Sequence, residues 1–166
     1  MAERQERTAL DAVLTRIGQV VMLHHAGDRE EARRRLLDLW AELGEHGEPL
    51  HRCTLAHYLA DTQDDPSDEL AWDLRALSAA DEAEGDVQLR GFYPSLHLNL
   101  AADYVKLGRA EAARSHLHRA RGAATALGDD GYGNGVRSAI SRLELRLGDD
   151  GDPGADSWGP PRQRPT

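Results

Sequence analysis

The segment from Leu100 to Ala120 reads Leu-Ala-Ala-Asp-Tyr-Val-Lys-Leu-Gly-Arg-Ala-Glu-Ala-Ala-Arg-Ser-His-Leu-His-Arg-Ala. Leu100, Tyr104 and Leu107 fall three and four apart, on one side of a helix. Gly108 then breaks the pattern, and Ala110, Ala113, Leu117 and Ala120 open a second apolar stripe. Two helices joined by so short a turn lie antiparallel. The same pattern recurs upstream without gaps. At a shift of 42, Ala60-Asp61 aligns with Ala102-Asp103, Pro66 with Gly108, Glu69 with Glu111 and Ala71 with Ala113. At a shift of 39, Gly27 aligns with Pro66 and Ala32 with Ala71. Repetition at such a period is the signature of stacked helical units, each unable to bury its apolar face alone.

Working outward, Thr8-x-x-Asp11 has the form of a capping box, followed by Leu10, Val13, Leu14, Ile17, Val20 and Val21 at helical spacing. Gly27-Asp28 ends that helix and caps the next, whose stripe is Ala32, Leu36, Leu39 and Leu43, closing near Gly44. Pro49 opens a third helix and Asp64-Asp65-Pro66-Ser67 closes it. Leu70, Ala71, Leu74 and Leu77 predict the face of a fourth. Residues 85–93 read as a connector before the helix that Pro94-Ser95 opens, and a last helix carries Val136, Ile140, Leu143 and Leu147. Three hairpins and a capping helix thus fill residues 8–148, between a short extension over 1–7 and a Gly, Asp and Pro-rich tail over 149–166 expected to be mobile.

Composition agrees with helices. Across 166 residues Leu and Ala far outnumber Val and Ile, which disfavours a sheet. A net charge of -9 argues against a general affinity for phosphate backbones, so no nucleic-acid partner is expected. The run Arg33-Arg34-Arg35 spreads round a helix among Glu30, Glu31 and Asp38 and reads as a solvated face. One cysteine, Cys53, permits no internal disulfide. A charged start and the lack of any long apolar run point to a cytoplasmic location and no membrane.

In the third hairpin, Leu100, Ala101, Tyr104, Gly108, Ala113 and Ala120 stand where a tetratricopeptide repeat places Leu, a small residue, an aromatic, Gly and two Ala, and the segment resembles that family. The other hairpins depart from it: Leu23 and Thr62 replace the aromatic, Pro66 replaces Gly, and His97 stands where the family's Trp would be. The longer period is similar to that of the family's long-helix bacterial variants. The resemblance implies an all-α, right-handed superhelix of three hairpins plus a C-terminal cap, holding a protein or peptide segment in a concave groove. The groove it implies is lined by the leading helix of each hairpin: Leu14, Ile17, Val21 and His24; Cys53, His57, Ala60 and Asp64; Ser95, Leu98, Asn99, Ala102 and Lys106; then Ser138 and Arg142. Asn99 matches a position at which family members grip a peptide backbone. No cofactor is implied.

Rival readings rest on other residues. Cys53, His57 and Asp61, each four apart, share one helix face, as a thiol nucleophile or small metal site would require. Against a metal, His24 with His25 and His116 with His118 point in divergent directions, and Cys53 with His57 supplies only two ligands. A structural subunit that self-associates, or an accessory subunit of a bacterial regulator, is equally compatible with the repeats. A further expectation is that Ser157-Trp158-Gly159-Pro160-Pro161 docks in the groove. Gly131, Gly133 and Gly135 lack a preceding strand and are not read as a phosphate loop.

Overall fold

The computed structural model describes the backbone of residues 1–150, with side chains except those of residues 6–11, 149 and 150. The remaining tail and its expected docking segment lie outside the described residues. The fold is all-α: α1 Ala2–His25, α2 Arg29–Leu43, α3 Pro49–Asp61, α4 Pro66–Glu82, a one-turn α5 Val87–Arg90, α6 Tyr93–Lys106, α7 Ala110–Ala124 and α8 Gly131–Asp150. No helix among the described residues is long and apolar enough to cross a membrane. Two expected boundaries are wrong. α1 begins at Ala2, so Thr8 is a helix-interior residue rather than a cap, and residues 2–7 belong to the domain. α8 runs through Gly148 to Asp150.

The turns follow from local chemistry. Gly27 and Gly108 adopt φ of +99° and +72°, a left-handed conformation that a Cβ would strain, and a new helix starts two residues after each. Between α3 and α4 the same job falls to Asp65, whose carboxylate accepts from the Ser67 N–H at 2.7 Å, with Pro66 pre-set in the first turn. Arg29 reaches across from α2, donating to the Thr62 carbonyl at 3.1 Å and pairing with Asp64 at 2.9 Å. One orphan carbonyl at the end of α3 is thereby satisfied by the neighbouring hairpin.

α1 packs on α2, α3 on α4 and α6 on α7; α3 also meets α1 and α2, α4 meets α6, and α8 lies on α7 and α6. One core cluster joins Ile17, Val20, Leu36 and Leu39 to Leu55 and Leu59, another joins Cys53 and Ala56 to Ala76, Ala79, Leu89 and Leu96, and a third joins Ala113, Leu117 and Ala120 to Val136 and Ile140. Trp40 and Trp72 meet edge to face at 5.2 Å on the seam between the first two hairpins. Arg33, Arg34 and Arg35 pair with Glu30 and Glu31 on a solvated face. At the start of α8, Gly133 must be glycine, because a Cβ there would stand 2.2 Å from the Gly128 carbonyl oxygen.

The second hairpin corrects the expected register. Its N-cap is Asp65, equivalent to Asp28 and Arg109. Counted from these caps, Ala32, Glu69 and Ala113 are equivalent, as are Leu36, Asp73 and Leu117, then Leu39, Ala76 and Ala120, then Leu43, Ala80 and Ala124. The buried face of α4 is therefore Asp73, Ala76 and Ala80 with Ala79, and not the stripe Leu70, Leu74, Leu77. Leu74 is exposed. Pro66 matches Arg29 and Ala110 rather than the glycines, so the shifts of 39 and 42 do not hold.

Candidate functional site

A cleft of about 170 Å³ opens where α3, α6 and α8 approach one another. Residues four apart on a helix share a face, so Cys53 and His57 of α3 look the same way, as do Ser95 and Asn99 of α6. Cys53, Thr54, His57, Tyr58, Phe92, Ser95, Leu96 and Tyr132 line the space. Pro94 in the first turn of α6 sets where Ser95 projects. The Ser95 hydroxyl meets the Tyr132 hydroxyl at 2.6 Å, and Tyr132 in turn donates to the Gly91 carbonyl at 3.2 Å. α8 is thus latched to the start of α6 by its one half-exposed tyrosine.

His57 and Asn99 are joined, Nδ2 of Asn99 standing 3.0 Å from Nδ1 of His57. Burial pushes the His57 imidazole below its usual value, against the opposing charge of Asp61. A neutral ring accepts at Nδ1 from the Asn99 amide and keeps its proton on Nε2, free to donate. Cys53 behaves differently from an activated nucleophile. Burial, and then the Asp73 charge, push its thiol up to about 12, where it is neither a nucleophile nor a metal ligand at neutral pH. Iodoacetamide at pH 8 is expected to alkylate Cys53 in the folded protein at least about 100-fold more slowly than a free peptide thiol; a rate within a few-fold of the peptide's would show the thiol exposed and reactive.

The remaining groove residues are dispersed. Ile17 and Ala60 are each 1% exposed and belong to the core, because α3 is covered by α1 and α2 on one side and α4 on the other. Leu14 and Val21 pack on the first core cluster, and Leu98 and Ala102 on the last. Asp64 is committed to Arg29 and Lys106 to Glu69. His24 stands half-buried near the end of α1 beside His25, while Ser138 and Arg142 are exposed on α8. None of these lines the cleft. His97 is a packing residue, its Nδ1 lying 3.1 Å from Nδ1 of His116, between the rings of Tyr93 and His116.

The sequence reading missed a second constellation. Glu69 and Asp73 of α4 face Asp103 of α6, with one carboxylate oxygen of each within 4.8 Å of the others. Asp73 is 3% exposed and Asp103 1%. Lys106 donates to both Glu69 oxygens, at 3.0 and 2.8 Å, while Asp73 Oδ1 and Asp103 Oδ2 accept no hydrogen bond. Burial, a hydrogen bond to Asp103 and that residue's charge push Asp73 up to about 10. Burial pushes Asp103 to about 7, opposed by that same hydrogen bond. At neutral pH Asp73 holds the proton and donates it toward Asp103. Counting outward from the three helix caps would have exposed the anomaly, since it places an aspartate where the other hairpins carry Leu36 and Leu117.

Comparison with models of known protein families, with curated proteins and with solved structures finds no match to this chain.

Proposed function

We propose that the three hairpins and α8 form a tetratricopeptide-like, right-handed stack that binds a protein or peptide segment without catalysis. The observation that carries this reading is the cleft itself. Leading-helix residues of the second and third hairpins, Cys53, His57 and Ser95, line it together with Tyr132 of the capping helix. Its size decides between occupants. At about 170 Å³ it falls short of the roughly 300 Å³ at which small-molecule and cofactor sites begin, but it has room for one projecting side chain. Tyr58, Phe92 and Leu96 give that side chain apolar walls, and Nε2 of His57 and the hydroxyls of Ser95 and Tyr132 offer polar contacts to the backbone that carries it. A wider recess bordered by Trp40, His46, Arg52 and Glu82 is less suited, because Arg52 and Glu82 already pair with each other there.

Selection of a displayed random-peptide library on the intact chain tests the reading. Selected peptides are expected to carry one apolar anchor and to lose about tenfold or more in affinity for Tyr132→Ala, whose half-exposed ring can leave without unfolding the helix. Circular dichroism should be unchanged. A library that yields no binder, or peptides that bind Tyr132→Ala and Asn99→Ala as tightly as the parent, would overturn the assignment.

A further inference from the structure

We propose that Glu69, Asp73 and Asp103 bind a hard divalent cation of the size of Ca²⁺ at the seam between α4 and α6. Three carboxylates each turn one oxygen toward a common point, none of these oxygens more than 4.8 Å from another. Convergence of acids alone would not single out a cation. The independent observation is that Asp73 and Asp103, 3% and 1% exposed, each hold a buried oxygen that no donor reaches. Buried polar atoms almost always find a partner, and a carboxylate oxygen can take only a donor or a cation. Lys106 does not fill that role. Its ammonium is bound to both oxygens of Glu69 and its side chain is 51% exposed, which places it at the mouth of the cluster.

The spacing selects the ion. All ligands are oxygens, which favours Ca²⁺, Mg²⁺ or Mn²⁺ over softer metals. Opposed ligands stand about 5 Å apart across Ca²⁺ but only about 4 Å apart across Mg²⁺, so the observed spread suits the larger ion without movement of the helices. Glu69, with its side chain 20% exposed beside Lys106, marks the way in for the ion and for the waters that complete its shell. The position in the repeat sharpens the point, since Glu69 and Asp73 replace the Ala and Leu that the flanking hairpins bury at the same places.

Calorimetric titration of the chelator-stripped full chain with CaCl₂ alone tests the proposal. It should show one equivalent bound with Kd no weaker than about 1 mM, MgCl₂ binding at least about tenfold more weakly, and a rise of several degrees in Tm in excess CaCl₂. Asp103→Asn and Glu69→Gln should each weaken Ca²⁺ binding about tenfold or more, whereas Glu111→Gln, an exposed acid outside the cluster, should leave it unchanged. Glu69 is only half-buried, so its variant keeps the test decisive even if Asp103→Asn unfolds. Neither heat nor a Tm shift up to 10 mM CaCl₂, undiminished binding by Glu69→Gln, or equal affinity for Mg²⁺ would overturn it.

Discussion

Between pH 7 and 9 the chelator-treated protein is expected to lose roughly 2–3 kcal/mol of stability, seen as a fall of about 5–10 °C in Tm, and Asp73→Asn should abolish most of that loss. The direction follows from which state binds the proton. In the unfolded chain Asp73 titrates near 3.8, whereas in the folded chain burial and its acidic neighbours hold it at about 10. Through this window the native state carries a proton that the unfolded state has released, and each such proton lowers stability by about 1.4 kcal/mol per pH unit as the pH rises. Glu69 on the same helix, Asp61 from α3 and Asp103 from α6 all push Asp73 in this direction. Lys106 from α6 is spent on Glu69.

The window is chosen so that other groups stay silent. Asp103, held at about 7, has largely ionised in both states above the lower limit. His57, His97 and His116 are depressed by burial, so their effect has the opposite sign and lies below their ordinary 6.5. Cys53, with an ordinary value of 9.0, begins to contribute only at the upper limit. Asn at position 73 keeps a donor toward Asp103 and has no proton to lose. An unchanged slope in Asp73→Asn would show that the acid pair does not govern the alkaline side.

Helix boundaries were legible in the sequence because they rest on backbone chemistry that a single residue decides: Gly27 and Gly108 in left-handed turns, Pro49 and Pro66 in first turns, Gly44 just past the end of α2. The buried faces of α2 and α7 were legible too, since their core positions are Ala and Leu. α4 misled for a physical reason. Hydrophobic periodicity assigns an aspartate to the surface, and Leu70, Leu74 and Leu77 supplied a plausible stripe, so the face that is truly buried, beginning with Asp73, was read as solvent-facing. The turn from Thr62 to Asp65 is also one residue longer than its counterparts, which displaced the alignment. The cleft was half legible. Helical spacing put Cys53 with His57 and Ser95 with Asn99, but it could not show that α8 returns Tyr132 to Ser95, a contact across 37 residues.

Ile140→Ala should be among the costliest single changes in the protein, destabilising it by about 2–5 kcal/mol, whereas Leu145→Ala five residues on should change stability by no more than about 0.5 kcal/mol. Ile140 is fully buried against Ala113, Leu117 and Ala120 of α7, and Leu145 is 68% exposed. The upper half of the range is expected because two of those three neighbours are alanines, too short to move into the space that the lost methyl groups leave. The loss should also be local. Each helix packs chiefly on those adjacent to it in sequence, so a stack of separable units would surrender amide protection in α7 and α8 while the α1–α2 hairpin keeps its own. Tyr132 travels with α8, so its bonds to Ser95 and Gly91 should weaken in the same variant and peptide affinity should fall with them. Loss of protection spread evenly over all the helices would mean that the units fold as one cooperative bundle, and the stacked reading, with the cleft as its recognition surface, would have to be abandoned.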